Sequence, residues 1–230
     1  MQEIFDNYVE TSFDGSGQAV VKFKLFEINY KNFFPKDRAG HVVDIGIGRG
    51  EMLTCMRDWG FDYLGVDISP STVRFCQSID LNCQVVANTA AWLRENKNKF
   101  SLITCLDVLE HVPRDQTIEF LSAMRSGLRE DGCAIIQVPN LQSPFGYLHH
   151  FNDFTHVNGF VEHSLAQVLL AAGFTEFKFH GFEEIYKKGV KQSVHKLIRY
   201  FYWKLIKFFR RVNCNPNPGI LNPVLYVVAR

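Results

Sequence analysis

The segment VVDIGIGRGEML, residues 42–53, limits what this 230-residue chain can fold into more than any other stretch. An apolar run ends in an acid and passes straight into alternating glycines, Asp44-x-Gly46-x-Gly48-x-Gly50. Glycines at such a place let the backbone turn sharply and approach a ligand closely. The helix expected next, Glu51–Trp59, would offer unpaired N–H groups at its start to a carboxylate or phosphate. About twenty residues further on, Tyr63–Val66 reads as a second strand closed by Asp67, a carboxylate placed to accept hydrogen bonds from ribose hydroxyls. On its own the pattern marks either a nucleotide-type cofactor or only a tight turn. The spacing is not G-x-G-x-x-G, which argues against a dinucleotide, and no G-x-x-x-x-G-K-[ST] occurs, which argues against an NTPase.

The rest of the chain keeps a strand–helix beat. His41–Ile45, Cys83–Ala87, Phe100–Leu106 and Cys133–Val138 read as strands; Ser69-Pro70 opens a helix running towards Ile79, and Arg114–Leu128 is another. Such alternation predicts an α/β fold with a mostly parallel sheet and helices on both faces. The near-continuous apolar runs suit strands buried on both sides. A loop (Asn140–Asn158), a helix (Glu162–Ala172) with Gly173 as its C-cap, and strands Phe174–His180 and Val224–Ala229 complete the pattern. At the N-terminal end, Phe13–Phe34 mixes apolar and basic residues at helical spacing until Pro35 stops it. With 47% hydrophobic and 21% charged residues, the composition is that of an ordinary globular domain.

Four motifs in order resemble those of the class I S-adenosylmethionine (SAM)-dependent methyltransferases: VVDIGIGRGEML, YLGVDIS, FSLITCLDVLEHVP and LREDGCAIIQVPN. The resemblance covers about Val42 to Asn140. It implies a Rossmann-like seven-stranded sheet in which Phe174–His180 and Val224–Ala229 supply the sixth, parallel strand and the seventh, antiparallel one. Residues 1–40 would be a helical segment covering the active site, and 41–230 the SAM-binding domain. By the same resemblance Gly46, Gly48 and Gly50 lie against the methionine and ribose, Asp44 meets the methionine amino group, Asp67 holds the ribose, and Ile68 lies beside the adenine. Asn88 stands where the family usually has an acid near the adenine amino group, and Asp107 closes the fourth strand beside the cofactor. Ile47 occupies a position that is small in many members, so tighter packing is expected there.

Methyl transfer to a hydroxyl needs an aligned nucleophile and a group, base or metal, that assists loss of its proton. Two segments at the carboxyl ends of the strands carry such groups: Asp107-Val-Leu-Glu110-His111 and His149-His150-Phe-Asn-Asp153-Phe-Thr-His156. The first resembles the E-x-x-E-H motif of ubiquinone-pathway and small-RNA 2′-O-methyltransferases, which implies a divalent ion, Mg, Mn or Zn, on Asp107, Glu110, His111 and His156. Asp107 departs from the usual Glu by one methylene. Equally, an acid and histidine in such a sequence serve only to hydrogen-bond locally. His156 and His111 are the candidate bases, with Asp153 as a group that orients His156 or caps a turn.

The chain carries a net charge of +1, but ten Lys or Arg and no acid lie from Ile185 onwards, leaving 15 bases against 24 acids in the first 184 residues. An insertion at about 186–213 contains VHKLIRYFYWKLIKFFRRV, residues 194–212. At about 100° per residue, Val194, Leu197, Ile198, Phe201, Leu205, Phe208 and Val212 share one face, with Lys and Arg on the others. Such a helix either lies peripherally in an anionic membrane interface or packs its stripe on the body or on a second subunit as a homodimer; nucleic acid is the weakest of the partners. No apolar run reaches the ~18 residues of a membrane span. The opening MQEIFDNYVETSFDG has acids and no apolar core, so no secretory signal is expected. Six cysteines without a C-x-x-C pair fit a reducing setting, and the expectation is a cytoplasmic protein, at the inner face of the membrane if the helix binds lipid.

The layout after the fifth strand, together with G-R-G-E and the basic aromatic insertion, resembles methyltransferases of bacterial surface-polysaccharide biosynthesis. It implies O-methylation of a sugar hydroxyl, on a small-molecule or lipid-linked glycan acceptor. A quinone-type phenol or an RNA 2′-hydroxyl is the alternative acceptor, and a SAM-binding protein without turnover the alternative class.

Overall fold

The computed structural model describes residues 19–38, 40–185, 190–215 and 219–230. Its centre is a seven-stranded sheet: β1 (His41–Ile45), β2 (Asp62–Asp67), β3 (Cys83–Val85), β4 (Phe100–Leu106), β5 (Leu128–Pro139), β6 (Phe177–Gly181) and β7 (Val224–Ala229). The order is β3-β2-β1-β4-β5-β7-β6. The first five strands pair in parallel, and β7 runs antiparallel to both β5 and β6. Strand order reverses between β1 and β4, so a crevice opens beyond their carboxyl ends, where ligands of such sheets bind.

Alternate residues of each strand feed two cores. Val43, Ile45, Ile103, Ile136 and Val227 face one side, where they meet α4 (Thr89–Glu95), α5 (Thr117–Gly127) and α7 (Glu162–Ala171) through Leu93, Leu121 and Leu165. Val42, Leu102, Ile135 and Val228 face the other, against α1 (Ala19–Asn29), α2 (Glu51–Asp58) and α3 (Pro70–Ser78) through Phe26, Leu53, Met56 and Val73, with Tyr30 just after α1. Helices therefore cover both faces, as the apolar runs require.

Local chemistry sets the boundaries. Ser69 caps α3 by accepting the Thr72 amide at 3.3 Å, with Pro70 at the first helical position. Gly173 ends α7 at φ +92, a left-handed conformation that favours glycine. Two helices escaped the sequence reading. α4 follows β3 directly, and its cap is Asn88, whose Oδ1 accepts the Ala91 amide at 2.9 Å. The stretch expected as a plain loop holds α6 (Gly146–Phe151). The third and sixth strands are shorter than expected. β5 starts earlier than expected because Leu128 pairs with Phe100 before the register slips to Leu102–Cys133. Residues 13–18 of the N-terminal run and 186–189 of the insertion lie outside the described residues.

The insertion forms α8 (Val190–Val212). The stripe identified in the sequence does not pack on the body: Leu197, Ile198, Phe201, Leu205 and Phe208 are all exposed. The opposite face is the moored one. Tyr202 stacks on Phe145 with ring centroids 6.1 Å apart, and Arg199 reaches Glu183 at 3.5 Å. No described helix is long and apolar enough to cross a membrane.

Truncating the central strand should be costly and truncating a surface position cheap. Leu102→Ala is expected to lower stability by about 2–5 kcal/mol, whereas Ile118→Ala, half exposed on α5, should stay within about 0.5 kcal/mol. Urea unfolding midpoints measure both.

Candidate active site

A cleft of about 1150 Å³ opens over the carboxyl ends of β1, β2 and β4. Its donor-side wall is the glycine turn. Gly46, Gly48 and Gly50 have φ of +76, +50 and +77. A Cβ on Gly46 would sit 2.2 Å from Val108 Cγ2, so this glycine brings the turn against the loop after β4. Asp67 holds the turn closed: its Oδ2 accepts the Ile47 amide at 3.0 Å and its Oδ1 the Ser69 amide at 2.8 Å. A carboxylate has about four lone-pair sites, so acceptor capacity remains. Burial raises the Asp67 carboxyl above its ordinary value, opposed by those backbone amides. Asp44 is fully buried and accepts the Thr104 hydroxyl at 2.5 Å. Burial pushes it up to about 8, Thr104 opposes this, and Asp67 and Glu51 add to it.

Asp44, Gly46, Gly48, Asp67, Ile68, Asn88 and Asp107 all line the cleft. Gly50, expected with them, does not; it packs inward, where a Cβ would meet Leu81 Cδ1 at 2.3 Å, and it caps α2. Asn88 spends one lone pair of its oxygen on capping α4. Ile47 is buried, as tighter packing at that position requires, and its amide is the one that Asp67 grips.

α1 covers the cleft with Lys22, Leu25 and Phe26. Lys22 pairs with Glu51 of α2 at 2.8 Å. Below it Tyr30, wholly buried, donates to Gln137 Oε1, and Gln137 Nε2 donates to Asp107 Oδ2 at 2.8 Å. This relay ties the covering helix to the acid at the end of β4. Asp107 stands at φ +54, and burial raises its carboxyl, with the Gln137 bond opposing. Neither Tyr30 nor Gln137 was singled out from the sequence. The available signal was a lone amide inside the apolar run of β5.

On the acceptor side a 3₁₀ turn, Leu109–His111, sends Glu110 inward and His111 to the cleft wall. The following loop is stitched to this turn: the amides of Val157 and Asn158 both donate to the Glu110 carbonyl, at 2.9 and 3.0 Å. Thr155 links two of the expected residues. Its hydroxyl donates to Asp153 Oδ1 at 2.6 Å and lies 2.8 Å from His111 Nδ1. A hydroxyl has one proton, so the imidazole is the donor of that second bond. Asp153 also accepts the Thr155 amide at 2.8 Å and so caps the turn, one of its two expected roles; the imidazole it orients, through Thr155, is that of His111 and not of His156. Burial, reinforced by His156, brings His111 down to about 4, so it is neutral at pH 7. Burial alone would raise Asp153, but the Thr155 hydroxyl and amide bring it below the usual carboxylate range.

His156 sits behind His111, their ring centroids 4.6 Å apart, and does not line the cleft. Its Nδ1 donates to the His150 carbonyl at 2.8 Å, leaving Nε2 as the basic nitrogen, 3.8 Å from Glu110 Oε1. Both Glu110 carboxyl oxygens are buried without a hydrogen-bond partner, and burial and Asp107 raise this carboxyl well above its ordinary value. One ligand atom each from Glu110, His111 and His156 lies within 4.8 Å of the others. An orphaned buried carboxylate between two imidazoles suits a divalent cation. Asp107, expected in the same set, is outside it, because Gln137 holds its carboxylate.

A methyltransferase-domain family profile matches residues 24–176. This chain belongs to that family. Similar curated proteins include the ubiquinone biosynthesis O-methyltransferases of Glaesserella parasuis serovar 5 (31% identical over 108 residues, 43% of this chain and 45% of that one) and of Coxiella burnetii (31% over 80 residues, 33% and 34%). The matched segments thus span less than half the length of these relatives. A SAM-dependent methyltransferase from Archaeoglobus fulgidus superposes over the whole chain and 99% of its own length, with a TM-score of 0.68 at 21% identity. A Burkholderia thailandensis 1,6-didemethyltoxoflavin-N1-methyltransferase, solved with S-adenosylhomocysteine, covers 100% of this chain and 85% of that one, with a TM-score of 0.58 at 17% identity. These likenesses establish the class I SAM-dependent methyltransferase fold.

Removing the Thr155 hydroxyl should take one hydrogen bond from each of two half-buried groups, His111 and Asp153. Thr155→Val is expected to cost about 1–3 kcal/mol in urea unfolding. Thr155→Ser, which keeps the hydroxyl, should recover most of that loss.

Proposed function

We propose that this chain is a SAM-dependent O-methyltransferase whose acceptor is a phenolic hydroxyl of the quinone-precursor kind. The observation that carries the reading is the placement of a neutral imidazole, His111, on one wall of the cleft while Asp44, the glycine turn and Asp67 form the other.

In this reading Asp44 meets the amino group of the methionine end, the turn at Gly46 and Gly48 lets the backbone approach the donor, Asp67 receives the ribose hydroxyls, and Ile68 with Asn88 flanks the adenine. The acceptor oxygen attacks the sulfonium methyl in line. A C–O bond forms, the C–S bond breaks, the acceptor proton passes to His111, and S-adenosylhomocysteine leaves. His156 and Glu110, behind His111, are positioning residues. Glu110, His111 and His156 would alternatively hold a divalent ion; His111 Nε2 would then be a ligand in place of the base, and the ion would lower the pKa of the acceptor hydroxyl as a Lewis acid.

A phenol is favoured over a sugar by acid strength. A phenol near pKa 10 yields its proton to a neutral imidazole more readily than an aliphatic hydroxyl closer to water at about 15.7. The relatives named for ubiquinone biosynthesis point the same way. None of the relatives described above is named for a sugar acceptor, so the polysaccharide expectation keeps only its motif resemblance.

Labelled SAM offered with catechols, nucleotide sugars, glycolipids and RNA separates the acceptor classes; donor binding without transfer to any of them would leave a non-catalytic SAM-binding protein. Gly48→Val forces a branched side chain into φ +50 and should abolish donor binding. His111→Ala should lower kcat by about 10²–10⁴ with donor affinity kept, and His156→Ala by about 10–100-fold. If the ion is required, chelation should abolish turnover and Mg²⁺, Mn²⁺ or Zn²⁺ restore it.

Asp44 supplies a separate test. Its carboxyl, raised to about 8, is protonated at pH 6.5 in the unliganded protein, and a cationic amino group arriving beside it favours the ionised form. Donor binding at pH 6.5 should therefore release close to one proton, read by calorimetry in buffers of different ionisation enthalpy. The Asp44→Asn variant should release none.

A further inference from the structure

We propose that the exposed apolar face of α8 and the aromatic tip of the α6 loop form one docking surface for an anionic lipid bilayer, set beside the mouth of the cleft. Two elements carry it. On α8, Leu197, Ile198, Phe201, Leu205 and Phe208 share one face, and each is more than half exposed. The helix is 23 residues long, about 34 Å at 1.5 Å per residue. On the α6 loop, Tyr147, Leu148, Phe151 and Phe154 are exposed, Phe154 at 87%. The two elements touch through the Phe145–Tyr202 stack. Both reach the cleft: α6 gives it His149, and the segment holding Glu183, the partner of Arg199, gives it Phe182 and Glu184.

Exposed apolar side chains of this number, on two elements joined by an aromatic stack, mark an interaction surface. Charge selects the occupant. From Ile185 to the last residue there are ten basic side chains and no acid. On α8, Lys196, Lys204, Lys207, Arg210 and Arg211 border or back the stripe. An apolar stripe edged by aromatics and cations is the pattern of a helix lying at the level of lipid headgroups, with cations drawn to anionic lipid. A twofold pairing of α8 with its copy would bring seven basic residues against seven with no acid between them, which costs free energy.

The full chain is tested by co-sedimentation with phosphatidylcholine vesicles, with and without 30% phosphatidylglycerol. Binding should be at least tenfold tighter to the anionic vesicles and should weaken with added salt. The variant Leu197→Glu/Phe201→Glu/Leu205→Glu should lose it, and Phe151→Ser/Phe154→Ser should weaken it several-fold. Both replace solvent-facing side chains, so circular dichroism and donor binding should be unchanged. No binding of the wild type to anionic vesicles overturns the proposal. So does equal binding by the triple variant. A dimer in sedimentation velocity that the triple variant converts to monomer overturns it as well, because a second copy would then be the occupant. Vesicle binding does not depend on the acceptor's identity, so its failure and failure of the phenol reading are separate results.

Discussion

The Asp67 carboxylate bridges the amides of Ile47 and Ser69, and the organisation of the donor side follows from that bridge. Backbone bonds from Gly46 to Val66 and from Gly50 to Ile47 shape the glycine turn, but its residues need positive φ, which glycine adopts without penalty and also without preference. By gripping the amide in the middle of the turn and the amide at the start of α3, one side chain at the end of β2 fixes the turn after β1 against the helix after β2. The cost is a desolvated charge. Asp44, in the neighbouring strand, sits close enough for each carboxylate to be felt by the other. A buried acid and a half-buried one beside an open cleft form a site whose electrostatics are unfavourable until a cation arrives, which suits a donor that carries a sulfonium and an ammonium group.

The acceptor side follows a similar logic with a different partner. Glu110 is drawn inside by a turn whose carbonyl is clamped by two amides of the later loop, so its carboxyl cannot swing out to water. Its unpartnered oxygens are stabilised by protonation, by His156 or by a cation. His111 is held differently, by a hydroxyl that Asp153 has already oriented. The chain Asp153–Thr155–His111 fixes the ring that faces the cleft, while His156 stays behind it. A single loop, 153–158, thus sets the positions of both histidines, and a change in that loop should affect them together.

The alternation of apolar runs with helical stretches made the sheet legible because a parallel sheet buried on both faces leaves no other way to distribute those residues. Asp44 and Asp67 were legible for the same reason: an acid at the end of an apolar strand is costly unless it has a task. Gly50 was misread because the spacing of glycines does not say which of them faces the ligand; only the neighbouring Leu81 shows that this one faces the core. α4 is hard to see in the sequence because Thr89–Glu95 spans seven residues, about two turns, too few for a helical period to show. The Tyr30–Gln137–Asp107 relay joins residues 107 and 30 positions apart, a pairing fixed by the fold alone. For Asp153, proximity in sequence pointed to His156, whereas Thr155 between them redirected the bond to His111.

The amphipathic pattern of α8 was legible as a periodicity, but periodicity carries no information about direction. The structure resolves it through two modest contacts, Phe145 on Tyr202 and Arg199 on Glu183, which turn the polar and aromatic back of the helix to the body and the aliphatic stripe outward. This orientation also bears on the charge of the whole chain. The first 184 residues carry an excess of nine acids, which an anionic surface would repel as a single body. Screening limits that repulsion to about 8 Å at physiological salt, while a cation near the lipid gains about 1 kcal/mol. A basic helix held on the outside of an acidic domain therefore feels the surface first, and a cleft whose rim it shares is brought to the lipid with it.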